Sequence, residues 1–202
     1  LEVAHLTAEE ISRRLNALPY QKPHNDFPPG MLVGEKREAA VMVLLREITG
    51  EWHVQFIRRT EVEGDIHSGQ VAFPGGRRDT TDATIIATAL RETLEEIGIQ
   101  ASSVQVLGQL REFVTVSNYQ VTPVVGVFTG NDRIQIQKTE VAHQFTIPLA
   151  WLADTANREE RERKTSNGNA MHVIYFHEYD GELLWGATAR FMVTFLEALD
   201  LK

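Results

Sequence analysis

Residues 69–99 read GQVAFPGGRRDTTDATIIATALRETLEEIGI, and this stretch decides the fold. It predicts a short strand over Gln70–Phe73, ending at Pro74-Gly75-Gly76, and a helix over Asp82–Ile97. Ile85, Ile86, Ala89, Leu90, Leu94 and Ile97 carry the helical periodicity, and Gly98 follows where helices commonly stop in a left-handed residue. Glu92, Glu95 and Glu96 stand at i, i+3 and i+4, so their side chains leave the same helical face. Three carboxylates placed together repel one another unless a cation lies between them. Oxygen ligands without His or Cys suit a hard ion, Mg²⁺ or Mn²⁺. Arg91, four residues before Glu95, is placed to anchor part of the cluster. Pro74-Gly75-Gly76 lets backbone groups approach a ligand closely and can aim a carbonyl at a metal.

Working outward, Leu6–Leu18 reads as an amphipathic helix, with Thr7 and Glu10 at capping-box spacing and Ile11, Leu15 and Leu18 on one face. Lys22–Gly30 is a Pro- and Gly-rich connector. Ala39–Leu45 and Trp52–Ile57 form a hairpin around Thr49-Gly50. Glu61–Ser68 is loop. Further strand-like runs are Val104–Gln109, Glu112–Thr115, Val121–Phe128 and Val173–Phe176. Ile147–Leu152 gives a short helix or turn begun by Pro148. Asp154–Asn169 is a charged, exposed excursion, and Thr188–Leu201 is a closing amphipathic helix. The expected product is one α/β domain over 31–202, with a mixed sheet between helices, preceded by a helix and connector over 1–30.

The 202 residues hold 20 Lys and Arg against 28 Asp and Glu, a net charge of −8. That balance argues against nucleic acid as a partner, since such binding needs a basic surface. It also poses a question: an anionic substrate would need a local source of positive charge. The chain has no cysteine, which excludes thiolate catalysis, cysteine-ligated zinc and disulfides. No apolar run reaches about 18 residues, and no signal peptide is visible, so the expectation is a cytoplasmic protein without a membrane partner.

The stretch Gly76 to Ile99 resembles the Nudix box, G-x5-E-x7-R-E-U-x-E-E-x-G-U with U a bulky aliphatic residue. Gly76, Arg91, Glu92, Glu95, Glu96, Gly98 and Ile99 match it. Gly76 and Arg91 are one position farther apart than in the signature, so its first acid falls on Asp82 counted forward or on Ala83 counted back. Thr93 replaces the aliphatic residue. The resemblance implies an α/β/α sandwich and metal-dependent hydrolysis of a nucleoside diphosphate derivative. Glu92, Glu95, Glu96 and Gly76 would hold Mg²⁺ or Mn²⁺. Arg91 would belong to the catalytic set, and Glu95, Glu96 or Glu140 would take a proton from water, with Glu112 a weaker candidate.

A narrower resemblance is to the coenzyme A diphosphatases. It rests on Arg59-Thr60, His67-Ser68-Gly69-Gln70-Val71-Ala72-Phe73-Pro74-Gly75-Gly76 and the loop Gly75–Asp82, and it extends through Val121–Gly126, Glu140-Val141 and Trp185–Ala189. It implies substrate contacts from Arg59, His67, Gly75, Gly76 and Arg77. The segment 61–65 departs from that pattern in being acidic (Glu61, Glu63, Asp65). Alternatives are ADP-ribose, a dinucleotide or a nucleotide sugar as substrate, or a noncatalytic nucleotide-binding protein; a homodimer is left open. Strand alternation puts Arg58 and Arg59 on opposite faces, so one of them faces the site, while Arg77 and Arg78 are further phosphate-binding candidates. Tyr175 and Trp185 read as core rather than as a platform for a base. Nothing resembles a serine nucleophile elbow.

Overall fold

The structure is a computed structural model that describes residues 2–19, 21–24, 34–64, 67–164 and 170–201. Most of the connector, the boundary near residue 30, Asp65 and the end of the predicted excursion lie outside the described residues.

Strand β1, Arg37–Ile48, is the centre of the sheet. Its run Ala39–Leu45 is apolar at every position because both faces are covered. Ala40, Met42 and Leu44 point into one core, with Ala89 and Ile97. Ala39, Val43 and Leu45 point into the other. On one side β1 turns at Thr49-Gly50 into antiparallel β2, Glu51–Arg59. On the other it pairs in parallel with β7, Tyr119–Phe128. The short strands β3, Val71–Ala72, and β4, Gly75–Arg77, pair with β2 and β1. Strands β5, Val104–Gln109, and β6, Phe113–Val114, pair with β7, and β8, Val141–Pro148, pairs with β2. The sheet is mixed, as expected.

The helix α1 spans Ala8–Ala17. Thr7 caps it, its hydroxyl accepting from the Glu10 amide at 3.2 Å. Ile11 and Leu15 are buried in the larger core, whereas Leu18 is the C-cap and is exposed, against the expectation of one continuous apolar face. The larger core also holds α3, Leu149–Ala153, and the closing helix α4, Gly186–Ala198. The opposite layer is α2, Ile85–Ile97. Burial of a side chain such as Phe56, Leu44 or Phe195 is worth roughly 1.5–3 kcal/mol each. The architecture is an α/β/α sandwich.

Two boundaries differ from the sequence reading. Helix α2 begins at Ile85, not Asp82, because the Thr84 hydroxyl accepts from the Ala87 amide and starts the helix there. Gly98 ends it in the left-handed region (φ 76°), as expected. The predicted excursion contains a strand, β9, Arg158–Lys164, paired antiparallel with β10, Ala170–Phe176. Its sequence, REERERK, carries no apolar signal; the ribbon is held by backbone pairing and by cations on rings. Arg161 lies over Tyr175 at 4.6 Å from the ring centre.

Candidate active site

Strand β4 and helix α2 build the site together. The Arg78 amide donates to Glu38 O and the Met42 amide to Pro74 O. Hydrogen-bonded pairs alternate along an antiparallel ladder, so Gly76, opposite Ala40, turns its backbone groups toward β1. Gly75 and Arg77 turn theirs toward α2. The Gly75 amide donates to Glu96 Oε2 at 2.9 Å, and the Arg77 carbonyl accepts from Arg91 at 3.0 Å. This corrects the expectation that the Gly76 carbonyl joins the acids in holding a metal: the backbone facing the acids belongs to Gly75 and Arg77. Gly76 contributes space instead. A Cβ there would lie 2.6 Å from the Glu92 carboxyl carbon.

Arg91 organises the acids. Its Nε and Nη2 donate to the two oxygens of Asp82, both at 3.0 Å, and its Nη1 donates to Glu92 Oε1 and to Glu95 Oε2, both at 2.9 Å. Asp82 is 8% exposed and also accepts from the Asp79 amide and the Thr88 hydroxyl. The Arg91 guanidinium, more than any other group, holds the Asp82 carboxyl well below the usual carboxylate range. Asp82 is a residue whose role the sequence reading missed. The only signal was its position at the forward count of the box's first acid.

The three glutamates divide. Glu92 and Glu95 share Arg91, while Glu96, 2% exposed, turns to the Gly75 amide. Among the described residues no three His, Cys, Asp or Glu side chains converge as a ready set of ligands. Burial pushes the Glu96 carboxyl up to about 8, with Glu92 and Glu140 adding repulsion and the Gly75 amide opposing it. Burial also raises Glu92, against the pull of Arg91, and Glu95 and Glu140 add to the rise. The oxygen donors Glu92 and Glu96, both with raised proton affinity, beside a glycine that leaves room for the first, have the chemistry of ligands for a hard dication. Glu140 is exposed, but the Thr60 amide donates to its carbonyl at 2.9 Å, which sets it beside Arg59 and α2.

A β-bulge between Arg58 and Arg59, where β2 meets β8, separates the two arginines. Arg58 pairs with Glu182 at 3.1 Å, and His143 takes the other oxygen of Glu182 at 2.7 Å. Arg59 faces the site: its charge lowers Glu96. Arg78 is tied to Glu38 at 2.8 Å. Arg59, His67, Gly75, Gly76 and Arg77 all line one cleft of about 770 Å³, in which His67 Nδ1 pairs with Gln70 Oε1 at 3.1 Å. The described lining also contains Arg163, Lys164 and Arg190, and no Asp or Glu. Local positive charge in an acidic chain is therefore present. Trp185 lines the cleft as well, which amends its reading as core, while Tyr175 is buried.

A model of the NUDIX domain family matches residues 36–174. The chain belongs to the Nudix family. It is 39% identical over 166 residues to the uncharacterized Nudix hydrolase NudL of Pectobacterium atrosepticum, covering 81% of this chain and 83% of that one. The NudL of Photorhabdus laumondii is 38% identical over 162 residues, covering 80% and 84%. A MutT/nudix family protein from Enterococcus faecalis shares the fold with a TM-score of 0.52 at 16% identity, over 84% of this chain and 64% of that one. The Nudix family is one of diphosphatases, typically dependent on a divalent metal. No helix among the described residues is long and apolar enough to cross a membrane.

Within this Nudix site the Arg91–Asp82 clamp has a measurable weight. Asp82→Ala leaves the guanidinium without its main partner and should cost about 3 kcal/mol. The melting temperature then falls by roughly 6–12 °C. Because the folded Asp82 carboxyl is depressed, its contribution is present above the unfolded value near 4 and is lost as pH falls through the folded one. The gap between thermal melts of the two proteins should therefore narrow from pH 7 down to pH 2. A constant difference across that range would remove the ion pair as its cause.

Proposed function

We propose that this chain hydrolyses the diphosphate bond of a nucleoside diphosphate derivative, with coenzyme A or its thioesters as the substrate class. The products are a phosphopantetheine part and an adenosine 3′,5′-bisphosphate part. The observation that carries the reading is the clamped acid helix abutting a cleft whose described lining holds five Arg and Lys and no acid. The narrower choice of coenzyme A rests on the resemblance of residues 59–76 and 185–189 to that subgroup.

Glu92, Glu95 and Glu96, with backbone oxygen from β4, would hold a divalent ion, Mg²⁺ or Mn²⁺, which would supply positive charge toward the diphosphate and Lewis acidity toward water. Arg59 and Arg77 neutralise the phosphate oxygens, Arg with a fork suited to two of them. Arg91 positions Glu92 and Glu95 from behind and touches no substrate. The proton of the attacking water goes to a carboxylate; Glu95, Glu96 and Glu140 are the candidates, and burial raises the proton affinity of Glu96. His67 adds a hydrogen bond to a phosphate at the cleft.

The test is turnover on a substrate panel with Mg²⁺ and with Mn²⁺, followed by excess EDTA. Cleavage at the diphosphate that EDTA abolishes is the expected result. Turnover that persists in EDTA overturns the metal-dependent reading. Cleavage confined to ADP-ribose, dinucleotides or nucleotide sugars replaces the substrate, and the exposed acids Glu61 and Glu63, shortly before His67 in the chain, favour that outcome as the second reading. Nucleotide binding without product supports a noncatalytic protein.

A further inference from the structure

The cleft carries more positive charge than a diphosphate requires. Arg59 and Arg77 stand on the β2 and β4 elements beside the acid helix. Arg163, Lys164 and Arg190 belong to β9 and α4, which carry none of the site's acids Asp82, Glu92, Glu95 and Glu96. We propose that Arg163, Lys164 and Arg190 form a second anion subsite, which takes a phosphomonoester on the nucleoside part of the substrate. The proposal deepens the diphosphatase reading and rests on it.

Arg163 is held for such a role. Its guanidinium lies 5.3 Å from the ring centre of Trp185, and that ring stacks on Tyr175 with centres 5.6 Å apart and planes 7° apart. A cation resting on a fixed ring gives up less side-chain freedom when an anion arrives. Trp185 thus serves as a shelf for Arg163 rather than as a platform for a base. The acids of the same strand do not cancel this charge. Glu159, Glu160 and Glu162 are absent from the lining, and Glu159 is occupied by Arg161 at 2.9 Å. A phosphomonoester carries close to two charges at pH 7 and three acceptor oxygens. An Arg fork matches two of those oxygens at once.

The probes are coenzyme A and dephospho-coenzyme A, which differ by one phosphomonoester. Their binding to the full chain is measured by calorimetry in EDTA, so that neither is consumed. The wild type should bind coenzyme A at least about tenfold more tightly. Arg163→Gln/Lys164→Gln should bring the two affinities within about twofold, by weakening coenzyme A alone. Arg163→Lys, which keeps the charge, should retain most of the preference. Equal affinities in the wild type overturn the subsite. So does a double variant that weakens both probes alike, since that marks general charge or damaged folding. The parent reading fails separately: it falls if the wild type cleaves neither compound when Mg²⁺ or Mn²⁺ is added, whatever the affinities are.

Discussion

Glu96→Gln is expected to lower turnover by about a hundredfold to ten-thousandfold while leaving the fold intact. Glutamine has nearly the same shape and keeps an oxygen for the Gly75 amide, so the contact between β4 and α2 survives. What disappears is a carboxylate that can bind a metal or a proton. The same variant has a second signature, read on the metal-free protein. Folding buries Glu96 and raises its carboxyl to about 8, well above its ordinary value of 4.5. The folded protein therefore holds a proton that the unfolded chain releases, and stability falls as pH rises from about 4.5 through about 8. Glutamine has no charge to bury, so the variant should resist denaturant better than the wild type at pH 9 and equally at pH 4. Denaturation midpoints in EDTA at the two pH values check this. A variant no more stable than the wild type at pH 9 would mean that the buried charge costs nothing, and near-wild-type turnover would take Glu96 out of the site.

The two adjacent glycines should fail in different ways when changed to alanine. At Gly75 a Cβ would lie 2.3 Å from the Ala40 carbonyl oxygen and 2.6 Å from Val41 Cα. Both are backbone atoms of the central strand and neither can swing aside. Gly75→Ala should thus separate β4 from β1 and lower stability by about 3 kcal/mol or more, with loss of soluble protein. At Gly76 the atoms in the way are the Glu92 carboxylate, 2.6–2.8 Å from the new Cβ. Those atoms end a flexible side chain, so the fold tolerates the change and Glu92 gives way. Gly76→Ala should melt within about 4 °C of the wild type, a shift worth roughly 1–2 kcal/mol. Its turnover should drop at least about a hundredfold, as expected when a charged contact to the transition state is displaced. Paired melting and turnover measurements separate the two effects. An active Gly76→Ala protein would show that the position of Glu92 against β4 is not needed.

These positions also show what a single sequence reveals. The apolar periodicity of α2, its Gly98 stop and the acidic i, i+3, i+4 face could be read directly, because each is a local pattern that the fold retains. The Thr7 cap was legible for the same reason. The start of α2 was not, because Asp82 has the look of a helix-start residue but is drawn into an ion pair with Arg91. Strand β9 was not, because a ribbon stabilised by backbone pairing and by arginines on rings presents no apolar alternation. The orientation of Gly76 depends on its register against Ala40, which nothing within the glycine pair encodes. The charge of the cleft is the clearest case. Its cations come from positions 59, 77, 163, 164 and 190, and only folding sums them.

The parallel seam between β1 and β7 has a consequence for assembly. Arg37 meets Tyr119 and Leu45 meets Val127, so the floor beneath the acid helix is stitched from segments far apart in the chain. Closing so wide a loop delays that seam relative to the hairpin of β1 and β2. A chain still being synthesised has every glutamate of α2 long before it has β7. The burial that raises the proton affinity of Glu92 and Glu96 belongs to the finished sheet beneath α2.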